Sequence, residues 1–126
     1  MEVKRVNETN IHDLVKADAI IFGSPTYFGE MSGRMKAFID ESEKVHGKLK
    51  GKIGAAFTSS GGTASGAETT LLSIVHAMLI HGMIVQGRFD DKHYGATAVE
   101  APDNEDVQSC KDLGRRVTEL ATRLST

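Results

Sequence analysis

The hydrophobic pattern alternates between short apolar runs and segments with helical spacing. Four runs are strand candidates: Val3–Val6, Ala19–Gly23, Ile53–Phe57 and Met83–Val85. The middle two are apolar at nearly every position, which is typical of parallel strands covered by helices on both faces. The first run is the most polar, as expected of a strand at the edge of a sheet.

The segments between these runs carry helix signals. Next to the Gly29–Ser32 turn, the spacing of Met31, Met35, Phe38 and Ile39 predicts one face of a helix. The pattern Ser65-Gly66-Ala67-Glu68 resembles a capping box and predicts a helix over Thr69–Ile80 that ends before Gly82. A shorter turn begins near Asn10, and Asp103 can cap a last helix.

This alternation predicts an α/β fold with right-handed crossovers. The expected architecture is a three-layer, doubly wound parallel sheet of about four strands in one domain over residues 1–126. The predicted strand order is Val3–Val6, Ala19–Gly23, Ile53–Phe57, Met83–Val85, with the first two runs paired directly. The alternative is a gap beside Ala19–Gly23 that a strand from another subunit fills.

Composition narrows the function classes. The chain has 126 residues, 40% of them hydrophobic, and a net charge of only −2, so nucleic acid and anionic membranes are not expected partners. The single cysteine, Cys110, excludes an internal disulfide, and no run approaches the length of a membrane span. His12, His46 and His93 lack metal-ligand spacing. These features favour a cytoplasmic protein without a metal site.

Two loops rich in glycine and hydroxyl groups follow consecutive buried strands. They cover Ser24–Ser32 and Thr58–Gly66, and each leads into a helix. In doubly wound sheets ligands bind at the carboxyl ends of the strands. Glycines and helix amino termini let backbone N–H groups approach a ligand, while Tyr27 and Phe28 offer flat aromatic faces. The loops therefore predict a slot for a planar heterocycle rich in acceptors.

Four separated motifs carry a family resemblance. They are the run from Ala19 to Ser32, then Thr58-Ser59-Ser60-Gly61-Gly62, then His81-Gly82-Met83, then His93-Tyr94-Gly95-Ala96-Thr97. In this order they resemble the flavodoxin-like NAD(P)H:quinone oxidoreductases of the tryptophan-repressor-binding-protein (WrbA-like) family. Family members begin with a strand and a phosphate-binding loop that these motifs do not include, so the expected fold is flavodoxin-like but N-terminally shortened.

The resemblance implies FMN as cofactor and two-electron transfer from NAD(P)H to a quinone, with no side chain acting as a nucleophile. It also implies a homodimer or homotetramer, which agrees with the apolar circumference of the Thr69–Ile80 helix. The residues that it assigns to the cofactor are Pro25, Thr26, Tyr27, Phe28, Gly29, Ser59, Ser60, Gly61, Gly62 and His81.

Two other functions stay open at this stage. Without the phosphate-binding loop, the chain could be a non-catalytic flavodoxin-like fragment or an oligomer-forming scaffold. An electron-transfer flavodoxin is less favoured, because such proteins usually carry a strongly acidic docking surface and the net charge here is −2.

Overall fold

The computed structural model describes residues 1–125 and has helices on both faces of a parallel sheet. The elements in chain order are α1 (Ile11–Lys16), β1 (Ala19–Pro25), α2 (Gly33–Glu41), β2 (Ile53–Ser60), α3 (Ala67–Ile80), β3 (Ile84–Val85), β4 (Ala96–Val99) and α4 (Asn104–Leu124). Short 3-10 turns occupy Val6–Glu8 and Ser42–Val45. The predicted three-layer α/β architecture is confirmed.

β2 is the centre of the sheet. β1 lies along one side of it, parallel, with Ala19 opposite Ile53 and Pro25 opposite Ser59. β3 and β4 both pair with the other side of β2, at its start and at its end respectively. They therefore act as two halves of one interrupted strand position, and the sheet is four-stranded but only three positions wide.

The prediction that Val3–Val6 forms the edge strand is wrong. Val3 is exposed, and the chain turns into a 3-10 helix at Val6, with the Thr9 hydroxyl donating to the Arg5 carbonyl. Val6 packs instead against the main core cluster. The fourth strand is β4, which the hydrophobic pattern did not reveal.

The outer edge of β1 is free of strand pairing within residues 1–125. The Asp18 carbonyl accepts from the Ile53 N–H, and the Thr26 N–H donates to the Ser59 carbonyl, so even-numbered positions of β1 bond to β2. The backbone groups of the odd-numbered positions, Ala19 to Gly23, point to the free edge. Pro25 ends that edge, where its missing N–H costs nothing.

Two apolar clusters hold the layers together. The larger lies between the sheet and α1, α2 and α3, and its most buried side chains include Val45, Leu49, Leu71, Ile74 and Met78. The smaller joins α4 to the other face through Leu113 and Val117. α4 begins as predicted, with Asp103 and Asp106 forming a capping box. No helix among the described residues is long and apolar enough to cross a membrane.

Candidate functional site

The loops after β1 and β2 leave the sheet at the same edge. Parallel pairing brings the ends of both strands together, and the Thr26 N–H donates to the Ser59 carbonyl at 2.8 Å, just beyond the last paired residues. The two loops that the sequence singled out therefore meet at the carboxyl edge, where doubly wound sheets bind their ligands.

The first loop folds into a tight hairpin. Tyr27 and Glu30 exchange backbone hydrogen bonds of 2.8 and 3.0 Å. Between them Phe28 has φ 52° and Gly29 has φ 77°, the left-handed pair that a type I′ turn requires. Phenylalanine rarely adopts this conformation, and the turn leaves its ring fully exposed at the tip. Tyr27 is 59% exposed. Two aromatic faces are thus presented to solvent beside the strand ends.

The second loop holds this hairpin in place through Gly66. A Cβ at Gly66 would lie 2.5 Å from the Gly29 Cα, so only glycine permits the approach. Gly66 also has φ 98°, and the Thr69 hydroxyl donates to the Gly29 carbonyl at 2.7 Å. The predicted capping box at Ser65 is wrong, because the Ser65 hydroxyl donates to the Thr63 carbonyl and Gly66 is the N-cap of α3. α3 therefore begins without a side-chain cap, directly behind the hairpin.

Hydroxyl groups brace the backbone of both loops. Ser24, buried at the end of β1, accepts from the Ser32 N–H at 2.8 Å and donates to the Pro25 carbonyl. Ser60 donates to the Gly62 carbonyl at 2.8 Å. Thr26 and Thr58 place their hydroxyl oxygens 2.7 Å apart. This bracing fixes the loops before any ligand arrives, which lowers the entropy cost of binding.

A third segment reaches the same edge, and sequence reasoning missed it. The Glu100 N–H donates to the Ser60 carbonyl at 2.7 Å, directly after β4. Glu100 has φ 55°, another non-glycine residue in the left-handed region, and Val99 beside it is 45% exposed. The sequence pattern predicted the helix cap at Asp103, but it did not predict β4, the strand that ends directly before Glu100. The edge therefore has three loops, and two of them carry a carboxylate, Glu30 in the first and Glu100 in the third.

His81 does not join the other predicted site residues within the chain. It follows the last residue of α3, whose 14 residues span about 21 Å at about 1.5 Å per residue. Because α3 begins at the carboxyl edge of the sheet, His81 lies at the opposite edge. Its Nε2 is 2.8 Å from the Ser42 hydroxyl, which itself donates to the Ile39 carbonyl, so the imidazole donates to Ser42. Burial, and secondarily the nearby His46, lowers the pKa of His81.

The remaining nine predicted residues lie on these two loops and on the strand ends that lead into them, and we call this set the rim. They are Pro25, Thr26, Tyr27, Phe28, Gly29, Ser59, Ser60, Gly61 and Gly62. Neither loop contains a lysine or an arginine, so anions or polar rings would be bound by backbone N–H and hydroxyl groups. Within residues 1–125 no cluster of histidine, cysteine and carboxylate side chains could hold a metal ion. The chemistry that these loops offer is that of backbone N–H groups, hydroxyl groups and two exposed aromatic rings.

Comparison with known proteins gives a matching family model and related sequences. Residues 6–90 match the family model described as NADPH-dependent FMN reductase. A protein of Archaeoglobus fulgidus named NAD(P)H dehydrogenase (quinone) is 44% identical over 121 residues, which are 89% of this chain and 63% of that protein. A flavodoxin of Aquifex aeolicus is 36% identical over 127 residues, 94% of this chain and 69% of that protein.

Solved structures show the same fold. The crystal structure of the flavodoxin, WrbA-like protein from Agrobacterium tumefaciens aligns with a TM-score of 0.79 and 30% identity, over 89% of this chain and 71% of that one. The chain spans just under two thirds of the length of the archaeal relative, so part of that relative has no counterpart here. The chain belongs to the NADPH-dependent FMN reductase family and has a shortened flavodoxin-like fold.

Proposed function

We propose that the chain binds FMN at the carboxyl edge of the sheet and uses it to pass two electrons from NAD(P)H to a quinone. The observation that carries the proposal is the contact between Gly66 and Gly29, which joins the two loops into one rim with no space for a Cβ. Ordering a glycine costs more conformational entropy than ordering other residues, and this contact holds the two loops side by side at the carboxyl edge.

The residues of the rim fit a flavin in chemical terms. The loop amides and the Thr26 hydroxyl can bond the polar edge of the ring, and Tyr27 and Phe28 can cover its face. The uncapped amino terminus of α3 favours negative charge nearby. When bound, FMN supplies the hydride chemistry, and the protein supplies position, exclusion of water and dipoles. No side chain of the rim is needed as a nucleophile.

The relatives support the finer parts of the proposal by name only. The family description names NADPH and FMN, and several relatives are named NAD(P)H dehydrogenase (quinone). We extend those activities to this chain together with a cytoplasmic location and a homodimeric or homotetrameric assembly. The exposed side chains of Leu79 and Ile80 on α3 and Ile84 on β3 supply an apolar surface for such an assembly.

The first experiment is a titration of FMN with the purified chain, followed by quenching of flavin fluorescence. We expect saturable quenching, and Thr26→Val should weaken it about three- to tenfold because one hydrogen bond is lost. His81→Gln, at the opposite edge, is the matched control and should bind FMN as the parent does. Absence of quenching by the parent chain would favour the scaffold alternative.

A second experiment addresses the reaction. The FMN-loaded chain is mixed with NADPH or NADH, and then with a soluble benzoquinone, while the nicotinamide absorbance is followed. Quinone-dependent oxidation of either nucleotide supports the oxidoreductase proposal. Tight FMN binding without nucleotide oxidation would instead support an electron carrier of the flavodoxin type.

A further inference from the structure

Thr26 and Thr58 form a pair of hydroxyl groups across the ends of β1 and β2. Their oxygens are 2.7 Å apart, and either one can be the donor. Thr58 is 3% exposed and lies behind Thr26, which is half-buried at the rim. Thr58 itself is not a rim residue, so any effect it has on a ligand passes through Thr26.

The protons of this pair can be arranged in two ways. If Thr58 donates to Thr26, the Thr26 proton is left to point outward, since the Thr26 hydroxyl has no other protein partner among the described residues. If Thr26 donates to Thr58, the Thr58 proton turns to the Ser59 carbonyl at 3.4 Å. Each hydroxyl has one proton and two lone pairs, so both arrangements satisfy the buried oxygen of Thr58.

The two arrangements present opposite chemistry to a ligand at the rim. In the first, Thr26 offers a proton to a ligand acceptor. In the second, it offers a lone pair to a ligand N–H. An oxidised flavin has acceptor nitrogens at the polar edge of its ring, whereas the two-electron reduced ring carries an additional N–H. The pair can therefore form a hydrogen bond with either redox form by reversing the direction of one internal bond.

We propose that Thr58 is a positioning residue that lets Thr26 change from donor to acceptor when a bound flavin is reduced. The inference rests on the proposed binding of FMN at this rim. The neighbouring groups allow the exchange, because the Ser59 carbonyl that receives the Thr58 proton also accepts the Thr26 N–H and a carbonyl has two lone pairs. No net proton leaves the protein in the exchange, since only the two hydroxyl rotors turn.

The test is Thr58→Val, which keeps the shape of the side chain and removes the relay. In this variant the Thr26 hydroxyl can still donate to the oxidised ring. When the reduced ring presents an N–H, however, the Thr26 proton can no longer turn to the Thr58 oxygen, which the valine lacks. We expect the affinity for reduced FMN to fall about tenfold relative to that for oxidised FMN. For a two-electron couple this lowers the midpoint potential by about 30 mV.

The affinities are measured by fluorescence titration of oxidised FMN and by anaerobic titration of dithionite-reduced FMN, and the potential by equilibration with a reference dye. Thr58→Ser keeps the hydroxyl and should restore the parent ratio. In a Thr26→Val background, Thr58→Val should change neither affinity further, because Thr58 acts only through Thr26. A thermal unfolding curve of each variant records any general loss of stability.

The outcomes separate this inference from the function on which it rests. If Thr58→Val weakens both redox forms equally, or if Thr58→Ser behaves like the valine variant, Thr58 has only a structural role and the inference is wrong. If Thr58→Val does not fold, Thr26→Val decides: the inference predicts a similar loss of affinity for both redox forms, because Thr26 bonds each of them, and a loss confined to the oxidised form would overturn it. If the parent chain binds neither form of FMN, the proposed function fails, and the inference fails with it.

Discussion

Gly66→Ala tests whether the two loops must touch for the fold and the site to form. The new Cβ would lie 2.5 Å from the Gly29 Cα and 3.1 Å from the Gly29 nitrogen. Both neighbours are backbone atoms of the tight hairpin, so no side-chain rotation can relieve the overlap. The alanine would also have to adopt φ 98°, where a Cβ is disfavoured.

The cost is the sum of two effects. A left-handed conformation costs a non-glycine residue roughly 1–2 kcal/mol, and inserting a methyl group where there is no space costs roughly 1–3 kcal/mol. Partial relaxation of the exposed hairpin lowers the sum, so we expect a loss of about 2–4 kcal/mol in the free energy of unfolding. The hairpin should also move away from α3, and the Thr69 bond to the Gly29 carbonyl should break.

The assay is urea unfolding of the chain without ligand, followed by an FMN titration. Gly33→Ala is the matched control, because it lies at the start of α2, a Cβ there meets no atom within 4 Å, and its φ is not positive. We expect the control to change stability by less than about 0.5 kcal/mol. If Gly66→Ala unfolds at the same urea concentration as the parent and binds FMN equally well, the loops do not depend on this contact and the reasoning is refuted.

The other predictions concern the β2–β4 approach, the opposite edge and the assembly. Gly95→Ala should lower the free energy of unfolding by urea by about 2–3 kcal/mol, because its Cβ would lie 2.2 Å from the Ala56 carbonyl oxygen and its φ is 149°. Gly114→Ala, in open space on α4, should raise it by about 0.5–1 kcal/mol, and equal unfolding midpoints for the two variants would contradict this prediction. The pKa of His81 is lowered in the folded chain, so the contribution of its neutral imidazole to stability is complete above about pH 6.5 and is lost as the pH falls. His81→Gln should therefore lose less stability than the parent chain between about pH 7 and pH 5. An unchanged pH dependence of unfolding would count against the burial of this imidazole. Light scattering at micromolar concentration should show a dimer or tetramer that Leu79→Glu weakens, and a monomeric parent would exclude the proposed assembly.

The central strands could be predicted because their evidence is local. Ala19–Gly23 and Ile53–Phe57 are short, apolar on both faces and followed by loops rich in glycine and hydroxyl residues, which is typical of covered parallel strands. The cap at Asp103 was equally local, since the acceptor and the amide it binds are three residues apart. The meeting of the two candidate loops followed from these elements, because parallel strands bring their carboxyl ends to one edge.

The features that sequence reasoning missed depend on contacts distant in the chain. β4 is four residues long and is defined by pairing with Phe57–Ser60, about forty residues away. The N-cap of α3 is Gly66 and not the predicted Ser65, and Gly66 lies against Gly29, which is 37 positions earlier and is not part of any local sequence pattern. Val3–Val6 does not pair with the free edge of β1; the chain turns at Val6, and the Val6 side chain packs against the core cluster instead. His81 was assigned from the resemblance alone, and the length of α3 places it at the other edge.

The most direct test of the proposed site is the change in backbone amide NMR signals when FMN is added to the isotopically labelled chain. We expect the largest shifts at Thr26–Gly29 and Ser59–Gly62, with those of His81–Met83 unchanged, because the two groups lie at opposite ends of α3. Riboflavin, which lacks the phosphate, should shift the same loop signals if the ring is what they bind. Shifts confined to the opposite edge, or no shifts at saturating FMN, would contradict the location of the site.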